Sequence, residues 1–126
     1  MRAGAYATFN GMTYRAKNLR GPSILLVAPL SDPQPPGFEL EDQHRWFRRV
    51  ERSELSRAFL VQTTAVWKGK EVDVRWVLGD SAYIEYYSED TDGWPELTHH
   101  QHGMWSGEVP VDSLSDISET VTEVPL

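Results

Sequence analysis

The chain has 126 residues, 40% hydrophobic and 25% charged, with five Trp, five Tyr, four Phe and no Cys. That length suits one domain or two very small ones sharing a core, and the lack of cysteine excludes a disulfide framework or a thiolate metal site. The net charge of −7 is uneven, nine Lys/Arg against six Asp/Glu in residues 1–63 and three against thirteen in 64–126, which disfavours general binding to phosphate backbones.

Strand signals begin at once. Tyr6–Phe9 and Met12–Ala16 flank Asn10-Gly11, a pair that favours the type I′ hairpin turn because both residues tolerate positive φ. Ile24–Ala28 reads as a third strand. Residues 29–41 hold Pro29, Pro33, Pro35 and Pro36, which cannot donate to a ladder, so the segment reads as irregular loop. Trp46–Val50 returns as a fourth strand. Arg52–Ser56 reads as a short turn capped by Ser53, and Ala58–Trp67 as a long strand. After Lys68-Gly69, Val72, Val74 and Trp76 alternate with Asp73 and Arg75, the pattern of a strand with one buried face. Ala82–Tyr87 is then a strand, Ser88–His102 a second long loop and Met104–Val109 a strand. Pro110–Ser115 reads as a turn capped by Asp112, and Glu119–Val124 as the last strand.

This is one series of elements written twice. A shift of 58 residues sets Ala7 on Ala65, Phe9 on Trp67, Gly11 on Gly69 and Ser23 on Ser81. A shift of 59 sets Trp46 on Trp105, Val50 on Val109 and Leu55 on Leu114. Ordered matches with small gaps in the loops are the mark of a duplication. The repeats are residues 1–62 and 63–126, as two units or one compact domain. In the loops, GFEL lies over GWPEL, which puts Phe38 opposite Trp94.

A hairpin, a third strand, a long loop, a fourth strand, a turn such as VPVDSL and a closing strand resemble the SH3-like small barrel. The resemblance implies an all-β fold with little helix. It would consist of two duplicated SH3-like β-barrel or roll repeats fused through the shared strand Ala58–Trp67.

The amino terminus lacks the roughly 7–15 apolar residues of a secretory signal. The longest apolar run, Ile24–Pro29, falls far short of the ~20 residues that span a bilayer. A cytoplasmic protein without membrane contact is expected.

His99, His100 and His102, with His44 in the first repeat, are the candidate metal ligands. Their spacing matches no catalytic helix motif, and adjacent His99 and His100 point apart in an extended strand, so no metal or other cofactor is expected. Glu89, Asp90 and Asp92 resemble the start of a calcium loop, but the sixth place from Asp90 is Pro95 rather than glycine. No GxSxG, cysteine nucleophile or phosphate-cradling loop is present. A carboxylate with a nearby imidazole, as Glu96 with His99, is the remaining route to acid–base chemistry. The balance is against an enzyme.

Trp94 stands apart from the strand tryptophans Trp67, Trp76 and Trp105, for which a core role is expected. An aromatic among carboxylates makes a binding hot spot, and it can equally fold back as a lid on its own barrel. The expected partner-binding set is Glu89, Asp90, Asp92, Trp94 and Glu96, with Phe38 and Glu39 from the first loop. The chain also resembles, in style, the small acidic immunity proteins of bacterial polymorphic toxin systems. That resemblance implies a protein that blocks a basic toxin domain. Two other classes compete: a small metal-dependent hydrolase built on the His99–His102 loop, and an SH3-like adaptor. The adaptor would seat proline-rich peptides on Tyr83, Tyr86, Tyr87 and Pro110. A monomer and a homodimer are both compatible with the sequence, since an open edge strand invites pairing.

Overall fold

The computed structural model describes residues 1–88 and 93–126. Its strands are β1 (Gly4–Phe9), β2 (Met12–Lys17), β3 (Ile24–Pro29), β4 (Glu39–Glu41), β5 (Arg45–Val50) and β6 (Leu55–Trp67). They continue as β7 (Lys70–Leu78), β8 (Ser81–Tyr87), β9 (Thr98–His99), β10 (Met104–Pro110) and β11 (Leu114–Glu123). The helical content among the described residues is single 3₁₀ turns at Arg52–Glu54, Gln101–Gly103 and Val111–Ser113. The protein is all-β, as the alternating patterns and turn residues required. No helix among the described residues is long and apolar enough to cross a membrane.

Contacts gather the chain into two units. The first is Ala5–Val61 with Val121–Leu126, the second Met1–Gly4 with Gln62–Thr120. Strands β1, β6 and β11 each pass from one unit into the other, so the long central strand expected from the sequence is present as β6.

In the first unit the strand order is β4-β5-β3-β2-β1-β6. The β1–β2 hairpin closes on Asn10 and Gly11, with φ of 51° and 80°, and Phe9 faces Met12 across a two-residue loop. Positive φ at both positions is the type I′ turn that matches strand twist. Alternation then sorts the side chains. Phe9, Ile24, Leu26, Phe38 and Val50 share one buried cluster. Burying each such side chain is worth about 1.5–3 kcal/mol. The Trp46 indole N–H donates to the Asp32 carbonyl at 3.1 Å, which ties the proline-rich loop to β5. The carboxy-terminal segment adds a bond from Val124 N–H to the Ala58 carbonyl at 2.8 Å and an exposed Arg57–Glu123 ion pair at 2.6 Å.

In the second unit the order is β6-β7-β8-β10-β9, with β11 also on β6. Lys68 and Gly69 repeat the hairpin turn with φ of 49° and 77°, and Trp67 faces Lys70. The buried cluster repeats as well: Trp67, Val74, Ile84, Leu97 and Val109 stand where Phe9, Ala16, Leu26, Phe38 and Val50 stand in the first.

Three expectations need correction. Trp76 is not core. Val74 pairs with Ile84 but Trp76 with Tyr83, so Arg75 is an extra residue, a β-bulge that swings Trp76 to the other face. Trp76 is 36% exposed. The long loops are not irregular throughout, because each ends in a short edge strand: β4 pairs with β5, and β9 with β10. The turn caps also differ. Glu51, not Ser53, caps the first, with its N–H donating to the Glu54 carboxylate at 2.8 Å. Pro110, not Asp112, is the cap residue of the turn at Val111–Ser113.

Candidate functional site

The second unit holds most of the residues singled out in the sequence. Glu89, Asp90 and Asp92 lie outside the described residues. Trp94 is half-buried, folded back onto its own unit. Its ring meets Tyr86 edge-on at 5.2 Å and Trp105 edge-on at 5.3 Å, and Lys70 Nζ stands 5.0 Å from the ring centre. Glu96 is exposed and accepts from Lys68 Nζ at 2.5 Å.

Phe38 and Glu39 belong to the first unit. Phe38 is 3% exposed, its ring 4.8 Å from that of Tyr14. Glu39 is exposed on β4, opposite Phe47. The counterpart of Phe38 is Leu97, not Trp94. Phe38 N–H donates to the Pro35 carbonyl at 3.1 Å, and Leu97 N–H to the Trp94 carbonyl at 3.0 Å. Both side chains then point into their own core. The edge strand pairing to Trp46 or Trp105 sets this register, three residues away from the one obtained by laying GFEL over GWPEL.

The ion pair at Glu96 yields a pH prediction. The hydrogen bond from Lys68, then Glu96's own backbone N–H, hold this carboxyl below the ordinary glutamate range. A carboxylate depressed on folding stabilises the protein above its unfolded pKa, near about 4.3. That contribution disappears as pH falls through the lower folded value. Urea midpoints of wild type and Glu96→Gln should therefore differ at neutral pH and converge in acid. A difference unchanged in strong acid would show that the pair contributes nothing through charge.

The histidines take separate partners. His99 stacks on Trp105, with ring centroids 4.5 Å apart and planes 28° apart. His100 Nε2 lies 2.6 Å from Ser106 Oγ, and the Tyr83 hydroxyl donates to that same oxygen at 2.6 Å. The backbone of residue 102 lies in the turn Gln101–Gly103. Among the described residues no three His, Asp or Glu side chains gather as metal ligands.

A serine beside an imidazole is the start of a nucleophile–base pair. Here Ser106 is 2% exposed, and the tyrosine hydroxyl is already bonded to its oxygen. A substrate carbonyl would have to displace Tyr83 to reach it. The chain Tyr83–Ser106–His100 instead ties β8, β10 and the segment before the 3₁₀ turn together. Ser106→Ala is expected to lower stability by about 1 kcal/mol, because the removed hydroxyl leaves two partners unmatched. A urea curve measures this, and an unchanged midpoint would leave the network without a structural role. Nothing in the sequence pattern of GMWSGEVP distinguished this serine, since only the pairing of β8 with β10 and the return of the segment after β9 bring its partners to it.

Beside this network the same sheet face opens to solvent. The bulge sets Trp76 flat on Tyr83, with centroids 4.1 Å apart and planes 8° apart. Tyr87 follows at 61% exposed. Asp73 faces Glu85 in the ladder, and Glu108 faces Tyr83. Arg75 reaches Glu85 at 3.5 Å. Aromatic surface and carboxylates therefore share one face of β7, β8 and β10.

These strands, hairpins and faces define an all-β protein built from one series of elements used twice. The chain belongs to the family described as uncharacterised conserved protein UCP033725, whose profile matches residues 1–125. No curated protein and no solved structure matches it.

Proposed function

We propose that the protein is a non-catalytic interaction module of the bacterial cytoplasm that binds a basic protein through its second unit. In this reading it acts as an immunity-type protein, covering the active face of a basic toxin domain. The observation that carries the proposal is the face just described: Trp76 on Tyr83 and the exposed Tyr87, set among Asp73, Glu85 and Glu108. Flat aromatic rings supply contact area at low entropic cost, and the surrounding carboxylates orient a cationic partner. Charge adds support, since the second unit carries four Lys/Arg against twelve Asp/Glu. The 3₁₀ turns before β6 and β11 are what an SH3-like barrel would place before its closing strand, and that fold family mostly binds.

The same rings favour one further reading, an adaptor for proline-rich peptides. Stacked aromatics beside Pro110 suit a polyproline helix.

Affinity capture from the source cells, with mass spectrometry of what stays bound, tests the proposal. Wild type is compared with a Trp76→Ala/Tyr87→Ala/Glu108→Lys variant. One stoichiometric basic protein, released by salt and lost with the variant, is the expected result. Co-expression should then relieve that partner's toxicity. Capture that persists in the variant would sink the assignment to this face. Binding of proline-rich peptides that tolerates salt would favour the adaptor.

A further inference from the structure

The two units carry matching, partly open faces of opposite charge, on which Val27 and Ser106 are buried. In the first unit Arg15 pairs with Val27 and Lys17 with Leu25 in the β2–β3 ladder. Val27 pairs with Phe47, Leu25 with Arg49 and Pro29 with Arg45 between β3 and β5. Alternation puts these side chains on one face, opposite to the one that holds Ile24, Leu26 and Val50. In the second unit the corresponding ladder pairs Asp73 with Glu85 and Trp76 with Tyr83, then Tyr83 with Glu108 and Tyr87 with Met104. Position by position, Asp73 stands for Arg15, Glu85 for Val27 and Glu108 for Arg49. Tyr83 stands for Leu25 at the centre.

The basic face carries Glu39 and Glu41 at its β4 edge, fewer carboxylates than its cations Arg15, Lys17, Arg45 and Arg49. Arg45 pairs with Glu41 at 2.7 Å, but Arg15, Lys17 and Arg49 have no carboxylate partner among the described residues. Arg15 and Lys17 feel this. Burial holds both below their ordinary pKa values; on Lys17 the repulsion of Arg45 and Arg15 adds to it against a smaller pull from Glu41, and on Arg15 the pull of Tyr6 exceeds the added repulsion of Arg45. A cation cluster of this kind is relieved by an incoming set of carboxylates.

We infer that the basic face of the first unit, Arg15, Lys17 and Arg49 around Leu25 and Phe47, docks on the acidic face of the second unit of another copy of this chain. Both faces come from one repeat, so their charged positions share nearly the same strand spacing, and opposite signs meet when the ladders are laid together. Three strands and five-residue rows span only about 10 Å by 14 Å of backbone. The assembly is therefore weak, reversible and dominated by charge. It occupies the face assigned above to a basic partner, so self-association would keep that face covered until the partner displaces it. The inference itself rests on the matched ladders and not on that assignment.

The test uses purified full-length protein alone, by sedimentation velocity over a concentration series. Assembly is expected at about 0.01 M salt, where the Debye length is near 30 Å, and loss at about 1 M, where it is near 3 Å. Arg49→Glu, at an exposed position, should weaken assembly at least tenfold, as should Glu108→Lys. An equimolar mixture of the two variants should restore it, because reversed signs meet again. Arg15→Glu/Arg49→Glu is a second variant, read only if its circular dichroism matches wild type. A protein that stays monomeric at low salt, or variants that fail to rescue one another, would overturn the inference. So would a monomer whose basic face binds heparin or an oligonucleotide. None of these outcomes touches the capture experiment above, which reads a different protein.

Discussion

Trp105→Ala should lower the unfolding free energy by about 3–5 kcal/mol, the range for removing a buried large aromatic. Trp105 lies on β10 and is buried in the cluster of the second unit. Trp94 meets it edge-on and His99 lies across it. Its indole N–H donates to the Ser88 carbonyl at 3.3 Å, so the side chain also holds the start of the long loop. Removing it opens a cavity under Trp94, unseats His99 and takes away one of the bonds that hold Ser88. Trp94→Ala should cost roughly 1–2 kcal/mol, since a half-buried ring gives up only part of its contact area. Urea denaturation followed by circular dichroism measures both. If the two variants lost equal stability, Trp105 would not be the support on which the ring cluster rests.

This difference governs how binding data are read. Trp94 was the natural residue to mutate from the sequence alone, standing between Gly93 and Pro95 amid carboxylates. In the structure its ring packs on Tyr86 and Trp105, so Trp94→Ala perturbs the unit as well as its surface. Trp76 and Tyr87 are cleaner probes. Each is exposed and neither is part of the buried cluster.

How much of this was legible in the sequence is a matter of what a pattern can encode. The hairpins were legible because Asn10-Gly11 favours positive φ at two successive positions and Lys68-Gly69 holds the same place in the second copy. The core strands were legible because Ile24, Leu26 and Val50 recur at period two. The bulge at Arg75 was not, because Val72, Val74 and Trp76 keep perfect alternation on paper. Only the opposing strand β8 reveals that one residue has been skipped. Edge strands β4 and β9 were hidden for a related reason. They contain three and two residues, too few for any period, and they exist because β5 and β10 offer a free edge. The pairing of Ser106 with Tyr83 and His100 needs β8, β10 and the segment after β9 brought together, which no local window contains. The charge inversion between the open faces was present in the sequence at shifts of 58 and 59. It acquired meaning only once the ladders showed which residues share a face.

The two copies also solve one packing problem differently, and this leads to a second large effect. Gly107 on β10 corresponds to Arg48 on β5. In the first unit Arg48 extends beneath the loop, its guanidinium 4.9 Å from the centre of the Phe9 ring, and Gly37 leaves the space it needs. In the second unit the loop backbone itself comes down onto β10. A Cβ on Gly107 would lie 2.5 Å from the Glu96 carbonyl oxygen and within 3.3 Å of Leu97. Backbone cannot rotate aside as a side chain can, so Gly107→Ala must push residues 96–97 off the strand. The expected cost is about 1–3 kcal/mol, the range for overpacking. The loop that moves carries Glu96, so its ion pair with Lys68 should loosen as well. A double-mutant cycle with Glu96→Gln and Lys68→Met, run in wild type and in Gly107→Ala, reads that coupling directly. Loss of both stability and coupling is the expected result. A Gly107→Ala protein as stable as wild type would mean that the close approach of loop to strand is not required.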